Sequence, residues 1–404
     1  MRRPTSKPEK VMSVEPDPAA LSTTWNYPTT VVYGPGSLAK AARACEHAGI
    51  TRPLIVTDAA LAALPVTGAL TATLRAAGRE PGLFSDVRSN PVAANVEAGV
   101  RALRAGGHDG VVALGGGSAL DCGKVVAFMA GQDRPLWDFE DIGDWGTRAK
   151  PDGIAPVVAI PTTAGTGSEV GRAGVITDEV SHTKKIIFHP RMMPRTAILD
   201  PEVTVGLPPK LTAATGMDAL AHCLEAYCAP AWHPMAEGIA VEGIRLVRTA
   251  LPRAYADGTD LAARGMMLAA AAMGATAFQK GLGAIHSLSH PIGAVYDTHH
   301  GLTNAVVMPY VLVFNRGQIE PKIERLAAWL GIEGGFEGFL DWLLTLRAEL
   351  GVPHTLRELG VPADRFDELA AMAVADPTAG GNPRPLDLAA ARALFDQAHA
   401  GSGL

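Results

Sequence analysis

The chain has 404 residues, 48% of them apolar and 19% charged, with a net charge of −6 and a pI near 6.1. At roughly 100–200 residues per domain this length suggests two or three domains, and the composition is that of a soluble globular protein, not of a disordered chain. The acidic balance, with no basic stripe beneath it, argues against nucleic acid or an anionic membrane as the main partner.

The first 26 residues are rich in proline and charge and read as a flexible leader. Arg2 and Arg3 are not followed by an apolar core, so no signal peptide is read there. Four scattered cysteines (Cys45, Cys122, Cys223, Cys228) form no disulfide framework or zinc-thiolate spacing. They are expected to be buried thiols in a reducing cytoplasm.

From 27 to 205 short apolar runs alternate with helical stretches. Pro53–Val56 reads as a buried strand leading to Asp58, and a further strand is expected near 81–87. Val92, Val96 and Val100 carry helical spacing through 91–106. Gly110–Leu114 is the next strand, followed by Gly115-Gly116-Gly117-Ser118 and a helix, and Pro156–Ile160 is another strand. This alternation predicts an α/β domain with a parallel sheet and helices on both faces. From 206 to 404 long Ala/Leu/Met-rich helical stretches replace the strands, which predicts a second, all-helical domain. The Ala-rich stretch 261–277 reads as a buried helix, and no apolar run is expected to reach a membrane span. Residues 377–386 read as a loop before a last helix.

Four features carry chemistry. Gly116, Gly117 and Ser118 stand between a strand and a helix, where glycine admits a diphosphate to the free N–H groups of a helix start. This is not the usual dinucleotide glycine pattern, and a tight turn without ligand fits the spacing equally well. Thr162, Thr163 and Thr166 crowd after the next strand, where ligands bind in parallel sheets, although a Ser/Thr turn cluster reads alike. Asp58 ends a strand, as an acid that accepts from an adenosine ribose does, and would favour NAD over NADP; taken alone, a helix N-cap is the simpler reading. Asp218 and His222 are four apart on a predicted helix and so share a face. Downstream lie His286, His290, His299 and His300. A carboxylate with several imidazoles suits Fe(II) or Zn(II). Spacing leaves open which of the four histidines join the pair.

GGGSALDCGK, AIPTTAGTGSEV, ATGMDALAHCLEAY and HSLSHPIGAVYDTHHG together resemble the iron-containing (group III) alcohol dehydrogenase family. The likeness runs from Val31 to the GGNPRPL segment near the C-terminus. It implies a dinucleotide-binding domain, a helical domain and an active site in the cleft between them. It implies metal ligands at Asp218, His222, His286 and His300, with His290 a catalytic residue. It implies cofactor contacts at Asp58, Asn90, Gly116, Gly117, Ser118, Thr162, Thr163, Thr166 and Lys184. It implies a homodimer that transfers hydride between NAD and a small alcohol or aldehyde. Three positions depart from the family pattern: His299 stands where proline is common, Gly123 where alanine is common, and Gly171-Arg172-Ala173 replaces a more usual continuation. Two relatives of the fold offer rival expectations. A dehydroquinate-synthase-like lyase needs a basic pocket, for which only Arg245, Arg248, Arg253 and Arg264 are at hand, and a maleylacetate-reductase-like enzyme lacks the full metal set.

Overall fold

The structure is a computed structural model that describes Tyr27 and residues 29–181 and 183–404; the leader lies outside them. Six parallel strands make the main sheet: β1 (Thr30–Tyr33), β2 (Pro53–Val56), β3 (Gly82–Phe84), β4 (Gly110–Gly115), β5 (Val157–Pro161) and β8 (Thr196–Leu199). Their spatial order is β1-β8-β5-β4-β2-β3. Helices α1 (Ala41–His47), α2 (Ala59–Ala62), α3 (Pro65–Ala76), α4 (Ala93–Ala105) and α5 (Gly117–Met129) connect the first five strands.

Both faces of the sheet are covered, so its strands are apolar throughout while the two-residue period still sorts their side chains. Leu54, Val56, Val111, Ala113, Val157 and Ala159 face a core shared with Val96, Val125 and Phe128 of α4 and α5. Ile55, Val112, Leu114, Val158 and Ile160 face the other side, against Ala41 and Cys45 of α1 and Leu70 and Leu74 of α3.

Two strands lie outside this sheet. β6 (Ala173–Asp178) and β7 (Thr183–Phe188) form an antiparallel hairpin in which Thr177 pairs with Lys184. Sequence reading did not resolve this hairpin, nor the short β1 and β8, and its strand near 81–87 is only three residues long. The Gly171-Arg172-Ala173 departure falls at the entry to β6.

After Leu199 the strands cease and helices take over: α6 (Pro209–Cys228), α7 (Pro234–Ala256), α8 (Leu261–Ala277), α9 (Ala284–Tyr296), α10 (His300–Leu330), α11 (Gly335–Glu349), α12 (Phe366–Ala375) and α13 (Leu388–Ala400). α6 is buried on nearly every side, so its polar residues are held within protein. Leu261–Lys280 does reach the length and mean hydropathy (1.4) of a membrane span, contrary to the sequence expectation; 61% of that window is buried inside the protein, as in the core helix of a soluble protein. In α10, Pro309 cannot donate to the Ala305 carbonyl four residues back. Buried Arg347 of α11 meets that turn instead, donating to Ala305 O (3.4 Å) and Val306 O (3.0 Å). All four cysteines are buried and free, and burial pushes each thiol up, to about 11 or 12.

Candidate active site and metal centre

The strand order reverses direction between β2 and β4, and ligands in such sheets sit outside the carboxyl ends of the strands at that point. β5, β4 and β2 are neighbours in register, Gly115 beside Pro161 and Ala113 beside Val56. The loops that follow them are therefore side by side.

Gly116 is the N-cap of α5, and its first turn leaves N–H groups free at the mouth of the crevice. A Cβ on Gly117 would come within 2.5 Å of Thr166 Cγ2, so only glycine lets the two loops close on each other. The Thr162 N–H donates to Gly115 O at 3.0 Å. Thr163 and Thr166 stay partly exposed, whereas Thr162 is buried. Ser118 donates to the Ser89 carbonyl.

Asp58 does what a cap does: its Oδ1 accepts from the Leu61 N–H at 2.9 Å. Its Oδ2 faces Gly115, 3.9 Å from where a Cβ there would stand, so the carboxylate also borders the crevice. Asn90 donates across to Asp297 at the end of α9, 2.5 Å away, and joins the α/β half to the helical half. Lys184 of β7 is half-buried beside Gly293 of α9; desolvation lowers its pKa, against the raising effect of Asp218, Asp121 and Asp297. It stands at the junction of the two halves, within the field of Asp218.

The helical half builds the other side. Asp218 and His222 are one turn apart on α6, and His286 and His290 one turn apart on α9. His300 lies fourteen residues after His286, about 21 Å along an unbroken helix. Asp297 breaks the helix in a left-handed conformation (φ 53°), and the chain restarts at α10 with the His286 and His300 rings 5.2 Å apart. A Cβ on Gly301 would sit 2.3 Å from Ala214 O, so this glycine lets the start of α10 press against α6.

Ligand atoms of Asp218, His222 and His286 all lie within 4.8 Å of one another. His300 Nε2 is 3.6 Å from Asp218 Oδ1. His299 is exposed at the N-cap of α10, where its carbonyl accepts from the Thr303 N–H at 3.0 Å. Burial holds His222 down at about 4, and His300 also falls well below its usual value through burial and the charges of Lys184 and its histidine neighbours. Both are therefore neutral at pH 7, the form that ligates a metal.

The donor set fits a divalent cation on its own chemistry. Acceptor atoms of Asp218 (2.8 Å), His300 (3.2 Å) and His286 (3.3 Å) converge on one point, the Nδ2 of Asn304. Three acceptors gathered around a single donor in a buried pocket make a site for positive charge. Asn304 was missed in the sequence, although it follows His300 by one helical turn. Glu225 was missed as well, although 218, 222 and 225 share the i, i+4, i+7 face of α6. Its Oε2 accepts from His286 Nδ1 at 2.5 Å. Asp376, whose Oδ2 accepts from His290 Nδ1 at 2.8 Å, gives no local signal in sequence.

The arginines considered for a phosphate pocket are engaged elsewhere. Arg245 pairs with Glu242 and Arg253 with Asp260, Arg248 donates to the Leu330 carbonyl, and Arg264 to those of Gly258 and Leu207.

Comparison with known proteins agrees with this geometry. Residues 28–201 match the iron-containing alcohol dehydrogenase family model and residues 212–399 its C-terminal counterpart. The chain is 40% identical over 363 residues to a 4-hydroxybutyrate dehydrogenase of Cupriavidus necator (87% of this chain, 94% of that one). It is 36% identical over 382 residues to a 1,3-propanediol dehydrogenase of Klebsiella pneumoniae (92% and 97%). Among solved structures, a 1,3-propanediol oxidoreductase superposes with a TM-score of 0.89 at 35% identity (93% and 100%). A sulfoacetaldehyde reductase from Bifidobacterium kashiwanohense, in complex with NAD+, gives 0.85 at 26% (94% and 100%). A maleylacetate reductase from Agrobacterium tumefaciens gives 0.77 at 31% (94% and 99%). With both halves matched in order and the site residues gathered at one crevice, the chain belongs to the iron-containing alcohol dehydrogenase family, an oxidoreductase acting on CH–OH groups.

Proposed function

We propose that this enzyme interconverts a short primary alcohol and its aldehyde, with NAD preferred over NADP and a divalent metal, Fe(II) or Zn(II), on Asp218, His222, His286 and His300. The observation that carries this reading is the convergence of the Asp218, His286 and His300 acceptors on one buried point at the junction with the dinucleotide loops. A bound nicotinamide supplies the hydride acceptor and a bound metal the Lewis acidity that favours alcohol deprotonation.

The chain's own residues do the rest. The N–H groups at Gly116 and Gly117 and the hydroxyls of Thr163 and Thr166 receive the diphosphate and the nicotinamide end. Asp58 accepts from the adenosine ribose and repels a 2′-phosphate, which supports the choice of NAD. His290, its Nδ1 held by Asp376, keeps Nε2 for carrying the alcohol proton toward solvent. The engaged arginines disfavour the lyase reading, and the full Asp–His set disfavours the maleylacetate-reductase reading. A 4-hydroxybutyrate dehydrogenase and a 1,3-propanediol dehydrogenase among the relatives support linear C3–C4 substrates with a second polar end. We place the enzyme in the cytoplasm as a homodimer, in keeping with its four free cysteines and with the family resemblance.

The test is a screen of alcohols and aldehydes by NADH absorbance, with Fe(II) and Zn(II) supplied separately and NADP in a parallel arm. Metal-dependent NADH formation from short diols or ω-hydroxy acids is expected. Full turnover in a chelator-treated, metal-free sample overturns it.

A further inference from the structure

Two histidines on α9, one turn apart, each give their Nδ1 to a carboxylate from a different part of the chain. His286 pairs with Glu225 of α6 at 2.5 Å, and the side chains are 2% and 5% exposed. His290 pairs with Asp376, just after α12, at 2.8 Å, and these side chains are 20% and 14% exposed. By contrast, the buried Nδ1 atoms of His222 and His300 have no hydrogen-bonding side chain.

The two carboxylates share one scaffold. Glu225 Oε1 accepts from the Ile285 N–H at 2.7 Å, in the first turn of α9. Asn382 Oδ1 accepts from the neighbouring Ala284 N–H at 3.1 Å and is itself fixed by Asn315 of α10 at 2.9 Å. Asp376 Oδ1 accepts from the N–H (2.9 Å) and hydroxyl (2.5 Å) of Thr378. The segment from Asp376 to Asn382, which in sequence is only a Gly/Pro loop, therefore braces α9 near His290 and again at its N-terminus.

We propose that Glu225 and Asp376 are positioning residues with separate duties: Glu225 holds His286 in the tautomer that offers Nε2 to the metal, and Asp376 holds His290 with Nε2 free toward the cleft. This rests on the metal-site reading above. A carboxylate that receives Nδ1–H fixes which nitrogen carries the proton and which way the ring faces. Each of these carboxylates also receives backbone N–H at its second oxygen, so neither can turn away. His286 Nε2 faces the Asn304 amide, where the Asp218 and His300 acceptors also meet.

Amide variants separate the duties. In Glu225→Gln the single remaining oxygen goes to the Ile285 N–H, and the NH2 then faces His286 Nδ1. That favours the tautomer with its proton on Nε2, which cannot ligate. Asp376→Asn does the same to His290. The full-length chain is stripped and titrated with Zn(II) in competition with a chromophoric chelator, and with Co(II) by its visible absorption. We expect Glu225→Gln to bind about 10- to 100-fold more weakly with an altered Co(II) spectrum, and Glu225→Asp, which restores charge and both acceptors, to recover part of the loss. Asp376→Asn is expected to bind both metals as the parent does, while kcat falls and KM for NAD holds. Should Glu225→Gln fail to fold, the Asp376→Asn and Glu225→Asp arms still decide. Parent-like metal affinity in both Glu225 variants overturns the proposal, and so does loss of metal in Asp376→Asn. A parent chain that binds neither Zn(II) nor Co(II) overturns the functional reading beneath it instead, so the two failures are told apart.

Discussion

The two halves of the crevice are made from different material. On the α/β side, the N–H groups of α5 and the Gly115 carbonyl sit at strand ends fixed by a six-stranded sheet. Where the two loops meet, the requirement on sequence is mainly that side chains be small, as at Gly117 against Thr166. On the helical side the candidate ligands Asp218, His222, His286 and His300 come from α6, α9 and α10, and each offers a side-chain atom no backbone supplies. A surface of main-chain groups should degrade gradually under substitution, and a centre built from side chains should fail at a single atom.

The strongest test of that contrast is Asp218→Ala. It removes the one carboxylate on which His300 Nε2 and the Asn304 amide both converge. We expect metal content to fall to background and kcat by about 10²–10³-fold or more, the range for loss of one electrostatic stabiliser, with NAD affinity by calorimetry unchanged. The converse substitution is Gly117→Val. Its Cβ would press on Thr166 at 2.5 Å and part the two loops. KM for NAD should rise about tenfold or more, an effect of roughly 1.4 kcal/mol, with metal content intact. If Gly117→Val loses metal, or Asp218→Ala loses NAD binding, the halves are not separable in this way.

The same contrast explains what the sequence discloses. Strand-end loops are local: Gly115–Ser118 and Thr162–Thr166 each announce themselves within a few residues, and the structure brings them face to face. Asp218 with His222 is legible for the same reason, as one helical turn. The other two candidate ligands, His286 and His300, lie 68 and 82 residues after Asp218 by number, and spacing alone could not choose among His286, His290, His299 and His300. The left-handed Asp297 decides the geometry there; aspartate tolerates that conformation better than most residues, but the preference is too weak to mark one position in advance. Glu225 lies on the same face of α6, but spacing alone gives a carboxylate there no partner; the fold supplies one in His286. Asp376 was not readable, since its partner is 86 residues away. The β6–β7 hairpin escaped because its β-branched runs are short, Val175–Thr177 in β6 and Ile186–Ile187 in β7, with Lys184 and Lys185 interrupting the second strand.

A pH experiment extends the comparison to stability. Glu169, at the end of the threonine loop, is buried with Oε1 unpartnered, and burial raises its carboxyl from 4.5 to about 7 against the pull of its backbone hydrogen bond and of Lys124. Lys124 also pairs with Asp121 at 3.3 Å and donates to Ser168 O at 3.0 Å, so Glu169 faces one cation already shared. The folded state thus holds the Glu169 proton more tightly than the unfolded state does. Its contribution to stability is full below the unfolded value of 4.5 and is lost as pH rises through about 7, a change of roughly 3 kcal/mol. Glu169→Gln should flatten the fall in Tm between pH 5 and 8. An unchanged slope would show that groups other than Glu169 set the pH dependence.

The smallest expected effect separates two roles of one side chain. Asp58 caps α2 through Oδ1 and borders the crevice with Oδ2. Asn keeps an oxygen for the Leu61 N–H and removes the charge, whereas Ala removes both. Asp58→Asn should therefore leave Tm nearly unchanged and shift the ratio of kcat/KM for NAD over NADP toward NADP, because the repulsion of a 2′-phosphate is gone. Asp58→Ala should make the same shift and in addition cost about 1 kcal/mol of stability for the lost cap. Equal stability with an unchanged cofactor ratio in both variants would remove Asp58 from the site altogether. A stability loss without a ratio change would leave it as a cap alone, and the adenosine end of the crevice would then be read by main-chain groups only.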